Sequence, residues 1–273
     1  MKKALIVGCG YVGTKLAKNL FQKKVAVIGV RRDTSSLPEE LQSISHDVST
    51  SSSLKIPEGV DTVFYCVAPS EHSQRGYQQA YITGLENTLR ACESAKISRF
   101  IFVSSTAVYH QNDGTWVDET SPTHPIEYNG KIMLQAESLV TSAKLKGVSV
   151  RFSGIYGPGR MHFINSVKDS KHGLIETSHY SNRIHRDDCA GILQHIGNMK
   201  APQSLYLGSD MLPTEWNEFV SYIGQRLNIK VAKSHHKPRS TNKRCSNERI
   251  LRSGYKFKYP TYREGYETLL NEA

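Results

Sequence analysis

The first 150 residues alternate short apolar runs with amphipathic helical patterns, and few folds accept such an alternation. Ala4–Val7, Val25–Val30, Thr62–Val67 and Phe100–Ser104 are short, rich in β-branched and aromatic residues, and bounded by Gly, Ser or Pro. They read as buried parallel strands. Leu16, Leu20 and Phe21 recur at helical spacing between the first two runs, and Tyr81, Leu85, Thr88, Leu89 and Cys92 do so between the last two. Strand–helix–strand repetition predicts an α/β fold with a doubly wound parallel sheet of the Rossmann kind. A further helix is expected from about Gly130 to Lys146, with Val148–Phe152 as the next strand. Beyond Gly154 the texture changes to the turn-rich Ile155–Arg160, a strand near Leu205–Leu207 and a helix over Trp216–Leu227.

Gly8-Cys-Gly10-Tyr-Val-Gly13 joins the first strand to the first helix. In that position GxGxxG has a physical rationale. Gly8 permits a tight turn, Gly10 lets the backbone approach a pyrophosphate, and Gly13 lets the helix pack on the strand. Tyr11 and Val12 complete the turn. The second strand ends in Val30-Arg31-Arg32, without the carboxylate that would bond a ribose 2′-hydroxyl. Arginine pairs with phosphate through two parallel hydrogen bonds, so NADP is expected rather than NAD, with Arg31 and Arg32 on the 2′-phosphate. Asp47 and Val48 stand where a third strand should end, suited to the adenine ring or to a simple turn. Cys66, Val67 and Ala68 close the fourth strand, at the strand ends where such sheets bind ligands. The expected organisation is a dinucleotide-binding domain over 1–154 and a smaller C-terminal substrate-binding lobe over 155–273. A strand and helix near 183–208 return to the first.

Composition narrows the alternatives. Hydrophobic residues make up 38% of the 273, which argues against disorder. No apolar run approaches the ~20 residues of a membrane span, and the N-terminal apolar stretch is too short for a secretory signal. The five cysteines are scattered without a CxxC pair, which argues against a disulfide framework or a zinc site and suits a reducing cytoplasm. No metal is expected. The net charge of +10 favours anionic partners. The densest basic stretch, Lys230–Arg263, includes a basic polar loop over 234–247 but lacks a nucleic-acid module, so a small-molecule substrate is expected instead.

Taken together, several segments resemble the extended short-chain dehydrogenase/reductase family, the NAD-dependent epimerase/dehydratase group. Tyr81-Ile-Thr-Gly84-Leu-Glu-Asn87 is similar to its helix motif, and Phe102-Val-Ser-Ser105-Thr-Ala-Val-Tyr109 to its active-site strand. Arg151–Arg160 resembles the segment beside the nicotinamide, and Arg183-Ile-His185-Arg-Asp-Asp188-Cys-Ala190 its HxDD signature. Lys243–Arg249 with Gly254–Pro260 is similar to a narrower bacterial branch, the YeeZ-like proteins. The resemblance implies Ser104 and Ile155 at the cofactor and Ser105 as the catalytic hydroxyl. It also implies a monomer or a homodimer paired through the helices near 80–96 and 130–146.

One departure matters. Family members pair a Tyr and a Lys four residues apart on one helix face. Here Tyr128 and Lys131 are three apart, and counting back from Glu137, where the family's helix usually carries a Glu, gives Met133 and Asn129. Tyr128 and Lys131 can still share a face at that spacing, so both stand as catalytic candidates beside Ser105. Tyr109, Arg160 and His185 are candidates for substrate contact. Two functions follow. One is an NADP-preferring oxidoreductase, epimerase or dehydratase with an altered proton relay, acting on a nucleotide sugar or another phosphorylated substrate. The other is a noncatalytic NADP(H)-binding redox sensor or regulator.

Overall fold

A computed structural model describes residues 1–233 and 241–271. The first part of the expected basic loop, 234–240, lies outside the described residues. Seven strands form one sheet: β1 (Lys3–Val7), β2 (Ala26–Arg31), β3 (Gln42–Ser45), β4 (Thr62–Tyr65), β5 (Arg99–Ser105), β6 (Gly147–Phe152) and β7 (Leu205–Gly208). Their order is β7-β6-β5-β4-β1-β2-β3, and every neighbouring pair is parallel. The order reverses between β1 and β4, which opens a crevice at their carboxyl ends.

Apolar helix faces cover both sides of the sheet. Leu16, Ala17 and Leu20 of helix Tyr11–Gln22 share one cluster with Ile192, Leu193 and Ile196 of helix Arg186–Asn198. On the other face Leu85, Leu89 and Cys92 of helix Gly84–Ser94 meet Met133, Ala136 and Val140 of helix Tyr128–Ser142. Full burial of each Leu or Ile contributes roughly 1.5–3 kcal/mol. Residues 186–208 therefore lie within the sheet layers. No helix among the described residues is long and apolar enough to cross a membrane.

Helix Tyr128–Ser142 begins two residues earlier than the sequence predicts, despite Gly130. Gly130 is buried, and a side chain there would collide with the Ala107 carbonyl and Pro125. It is a close-contact residue, so its weak helix propensity is overridden by packing.

A third cluster joins Tyr156, Ile164, Phe219, Tyr262 and Tyr266. Tyr156 stacks on Tyr266 at 4.4 Å between ring centroids. At its edge Arg183 lies 3.4 Å over the Phe219 ring, and Asp210 donates its backbone N–H to the Arg183 carbonyl. Burial pushes the Asp210 carboxyl up to about 7, against the opposing charge of Arg183. A carboxyl raised above its unfolded value binds its proton more readily in the folded state. Its contribution to stability is complete below pH 4 and is lost as pH rises toward 7. Asp210→Asn should remove a slope on the order of a few kcal/mol between pH 4 and 7. Urea unfolding of both proteins at pH 5 and 7.5 reads that difference, and parallel pH profiles would refute it.

Candidate active site

The crevice holds a cavity of about 560 Å³, lined by the ends of β1, β2, β4 and β5 and by segments that follow them. Gly8 has a positive φ of 86°, and a side chain there would collide with the backbone of Val67. At Gly13 an added Cβ would stand 2.5 Å from the Gly8 carbonyl and 3.1 Å from Ile6, so this glycine serves helix–strand packing and does not line the cavity. A Cβ at Gly10, by contrast, meets nothing nearer than 4.0 Å. The turn thus leaves an open cradle at the start of helix Tyr11–Gln22, and a pyrophosphate fits that shape and dipole.

Gly8, Gly10, Tyr11, Val12, Arg31, Arg32, Asp47, Val48, Cys66, Val67, Ala68, Ser104, Ser105, Ile155 and Arg160 all line this one cavity. The Tyr11 hydroxyl donates to the Pro158 carbonyl at 3.1 Å, and the Arg160 guanidinium sits 4.0 Å over the Tyr11 ring. These contacts tie segment 155–160 to the glycine turn. Asp47 accepts from the Ser49 backbone and hydroxyl, and Asn87 donates to the Val48 carbonyl at 2.8 Å, which holds the loop after β3 in place. Burial pushes the Cys66 thiol well up, so it stays protonated and packs.

The proton-relay candidates separate. Ser105 lines the cavity, and its Oγ accepts from the Ala107 N–H at 3.1 Å, leaving its own proton free to donate. Tyr128 and Lys131 do not line it. The Tyr128 hydroxyl donates to the His72 carbonyl at 3.1 Å, and Lys131 is exposed. Asn129 and Met133 line the cavity in their place. The cause is Glu137, which is 7% exposed. Its Oε1 accepts from Ser104 Oγ (2.6 Å) and Arg151 Nε (2.9 Å), and its Oε2 from Arg151 Nη2 (2.7 Å). That bidentate pair fixes the helix rotation, and residues four and eight positions earlier share its face.

Two substrate candidates also leave the site. Tyr109 is fully buried, donates to the Asp118 carbonyl at 2.6 Å and accepts from Arg151 Nη1. His185 is 1% exposed and caps helix Arg186–Asn198, with Nδ1 accepting from the Asp187 N–H at 3.2 Å. Burial lowers its pKa to about 4, so it is neutral at neutral pH. The adjacent Asp188 accepts from the Lys258 and Tyr259 N–H groups and the Tyr255 hydroxyl, anchoring the C-terminal segment. His46, Tyr77 and Asp33 line the cavity and were not singled out by the sequence motifs. For His46 and Asp33, adjacency to Asp47 and Arg32 was the available signal; Tyr77 had none. Among the described residues no cluster of His, Cys, Asp or Glu could hold a metal ion.

A parallel sheet of this order with a glycine-rich turn at its switch point defines a Rossmann-fold protein of the short-chain dehydrogenase/reductase type. The chain belongs to the NAD dependent epimerase/dehydratase family, whose pattern matches residues 4–186. The chain is thus an enzyme of the NAD-dependent epimerase or dehydratase kind. Protein YeeZ of Escherichia coli K12 is 29% identical over 227 residues, spanning 74% of this chain and 78% of YeeZ. A solved structure from Methylobacillus flagellatus, assigned to the NAD-dependent epimerases/dehydratases, is 34% identical. It has a TM-score of 0.83 and covers 99% of this chain and 98% of its own. The UDP-glucuronic acid 4-epimerase of Bacillus cereus in complex with NAD shares the fold at 18% identity. Its TM-score is 0.81, with 97% and 96% of the two chains covered.

Removing one partner of the buried pair leaves an uncompensated charge. Glu137→Ala should destabilise the protein by about 3–5 kcal/mol, measured by denaturant unfolding, whereas Lys131→Ala should change stability by less than about 0.5 kcal/mol. Equal effects would refute the role given to Glu137.

Proposed function

We propose that the protein is an NADP(H)-preferring oxidoreductase or epimerase whose proton transfer runs through Ser105 without the Tyr–Lys pair. Arg31 and Arg32 at the tip of β2, in one cavity with the open Gly10 cradle, carry the cofactor assignment. The first turn of helix Tyr11–Gln22 holds the pyrophosphate through its N–H groups. Arg31 and Arg32 hold the 2′-phosphate, and Asp47 with Val48 holds the adenine. Bound in this way, the nicotinamide supplies hydride transfer. Ser105 then donates its hydroxyl proton toward a substrate carbonyl oxygen, while Met133 and Phe152 exclude water from the cavity floor. The substrate lies between this floor and lobe 155–273, where Arg160 suits a phosphorylated group. The Bacillus cereus relative's UDP-glucuronic acid makes nucleotide sugars the first class to try.

One observation favours a noncatalytic alternative. Asn129 and Met133 face the cavity, and neither side chain gains or loses a proton at neutral pH. An NADP(H)-binding sensor or regulator needs the cradle and the arginines but no relay.

The cofactor assignment is tested by fluorescence titration. Arg31→Ala with Arg32→Ala should weaken NADPH binding ten- to a hundred-fold, about 1.4–3 kcal/mol, and leave NADH nearly unchanged. An equal loss for both refutes the phosphate clamp. A panel of UDP-sugars then separates the two functions. Turnover that falls about 100-fold in Ser105→Ala and holds in Tyr128→Phe supports the enzyme. Tight binding without turnover on any member supports the sensor.

A further inference from the structure

Helix Tyr128–Ser142 offers the cavity Asn129 and Met133 but no phenol, and a neighbouring helix brings one to the same edge. Tyr77 lies on the short helix Gln74–Gln78, which packs on helix Tyr128–Ser142. It lines the cavity together with Ser105, Ala107, Asn129 and Met133. Its ring stands edge-on to that of Tyr128, the residue next to Asn129, at 5.5 Å between centroids. The Tyr128 hydroxyl donates to the His72 carbonyl at 3.1 Å, which fastens the segment carrying Tyr77 to the start of the helix carrying Asn129. Ser73 caps the short helix, its Oγ accepting from the Gly76 N–H at 3.0 Å. Gly76 fits closely against the Glu71 carbonyl, where an added Cβ would stand at 2.5 Å. A π-helical turn over Gln79–Thr83 follows, and turns of that kind recur at functional sites.

Several hydroxyls around the cavity are spent on the protein itself. Tyr11 donates to the Pro158 carbonyl, Ser104 to Glu137 and Ser153 to Ser209. Tyr81, 5.4 Å from Tyr77 between centroids, packs on Phe102 at the edge of a core cluster. The Tyr77 hydroxyl has no hydrogen-bond partner among the described residues and, unlike Nε2 of His46, is not sealed from water. It is an available donor on the cavity wall. Burial of the ring, with the Tyr128 phenol beside it, raises its pKa, so it holds its proton at neutral pH.

We propose that Tyr77 is a catalytic acid of this site, presented by the neighbouring helix in place of a phenol on helix Tyr128–Ser142. This rests on the enzyme reading above, in which Ser105 donates to the substrate oxygen. An aliphatic hydroxyl is a far weaker acid than a phenol. Ser105 and Tyr77 therefore donate to one oxygen, and the proton that transfers outright comes from the phenol. As the carbonyl carbon accepts hydride from the reduced nicotinamide, the Tyr77 O–H bond breaks and its proton joins the carbonyl oxygen. The phenolate left behind takes a proton from water at the cavity mouth. In the reverse direction the phenolate takes the proton of an alcohol as its hydride leaves for the oxidised nicotinamide.

The test is steady-state turnover on the UDP-sugar panel with NADP and NADPH, beside an NADPH titration. Tyr77→Phe removes only the hydroxyl. Its kcat should fall about 100-fold or more. Its KM and NADPH affinity should change less than about three-fold, as for an interaction made in the transition state. The double variant Ser105→Ala with Tyr77→Phe should fall little below the slower single variant, because both hydroxyls serve one oxygen. Unchanged kcat in Tyr77→Phe, with turnover still lost in Ser105→Ala, overturns this inference alone. A loss of NADPH affinity as large as the loss of kcat also overturns it, since that marks a packing role. Full multiplication of the two single losses overturns the shared oxygen. A wild type that binds NADPH and turns over no panel member overturns the enzyme reading and this inference together.

Discussion

The buried bidentate contact between Glu137 and Arg151 is the constraint on which the packing of helix Tyr128–Ser142 against the sheet depends. It joins helix Tyr128–Ser142 to β6, and through Ser104 to β5, at a point sealed from water. A buried carboxylate tolerates only a geometry in which its charge is matched, so the helix has one rotation open to it. That rotation turns Asn129 and Met133 toward the cavity and leaves Tyr128 on the neighbouring face. Which residues of this helix meet the cavity is thus tied to a contact two turns away.

A second set of contacts fastens the later half of the chain to the cofactor end. Asp187 pairs with Lys15 of the first helix and with Lys258, while Asp188 accepts from the segment around Tyr255–Tyr259. Tyr11 and Arg160 add a link across the mouth of the glycine turn. The HxDD segment thus acts as a junction among three stretches of chain. Its histidine is buried and caps helix Arg186–Asn198 through Nδ1.

The lining of the cavity around the glycine turn was readable from residues because its logic is local. Gly8, Gly10 and Gly13 act within one turn, and Arg31 and Arg32 stand at the end of a strand that composition marks. Tyr109 and His185 were not separable in that way. Both sit in segments singled out by motif, and only the fold shows them buried, with the Tyr109 hydroxyl and His185 Nδ1 bonded to the main chain. Gly130 misleads for a related reason. Its intrinsic helix propensity is poor, yet the Ala107 carbonyl occupies the space that any side chain there would need.

The amino-acid sequence by itself determined the alternation of strand and helix, the parallel sheet it demands and the glycine turn. Periodicity and backbone permissiveness are properties of neighbours along the chain. It left open whether Tyr128 and Lys131 face the cavity or whether Glu137 sets a register that puts Asn129 and Met133 there. Tertiary structure brings Asn129 and Met133 to the cavity, because Glu137 on the same helix is held by Arg151 and Ser104 on two neighbouring strands.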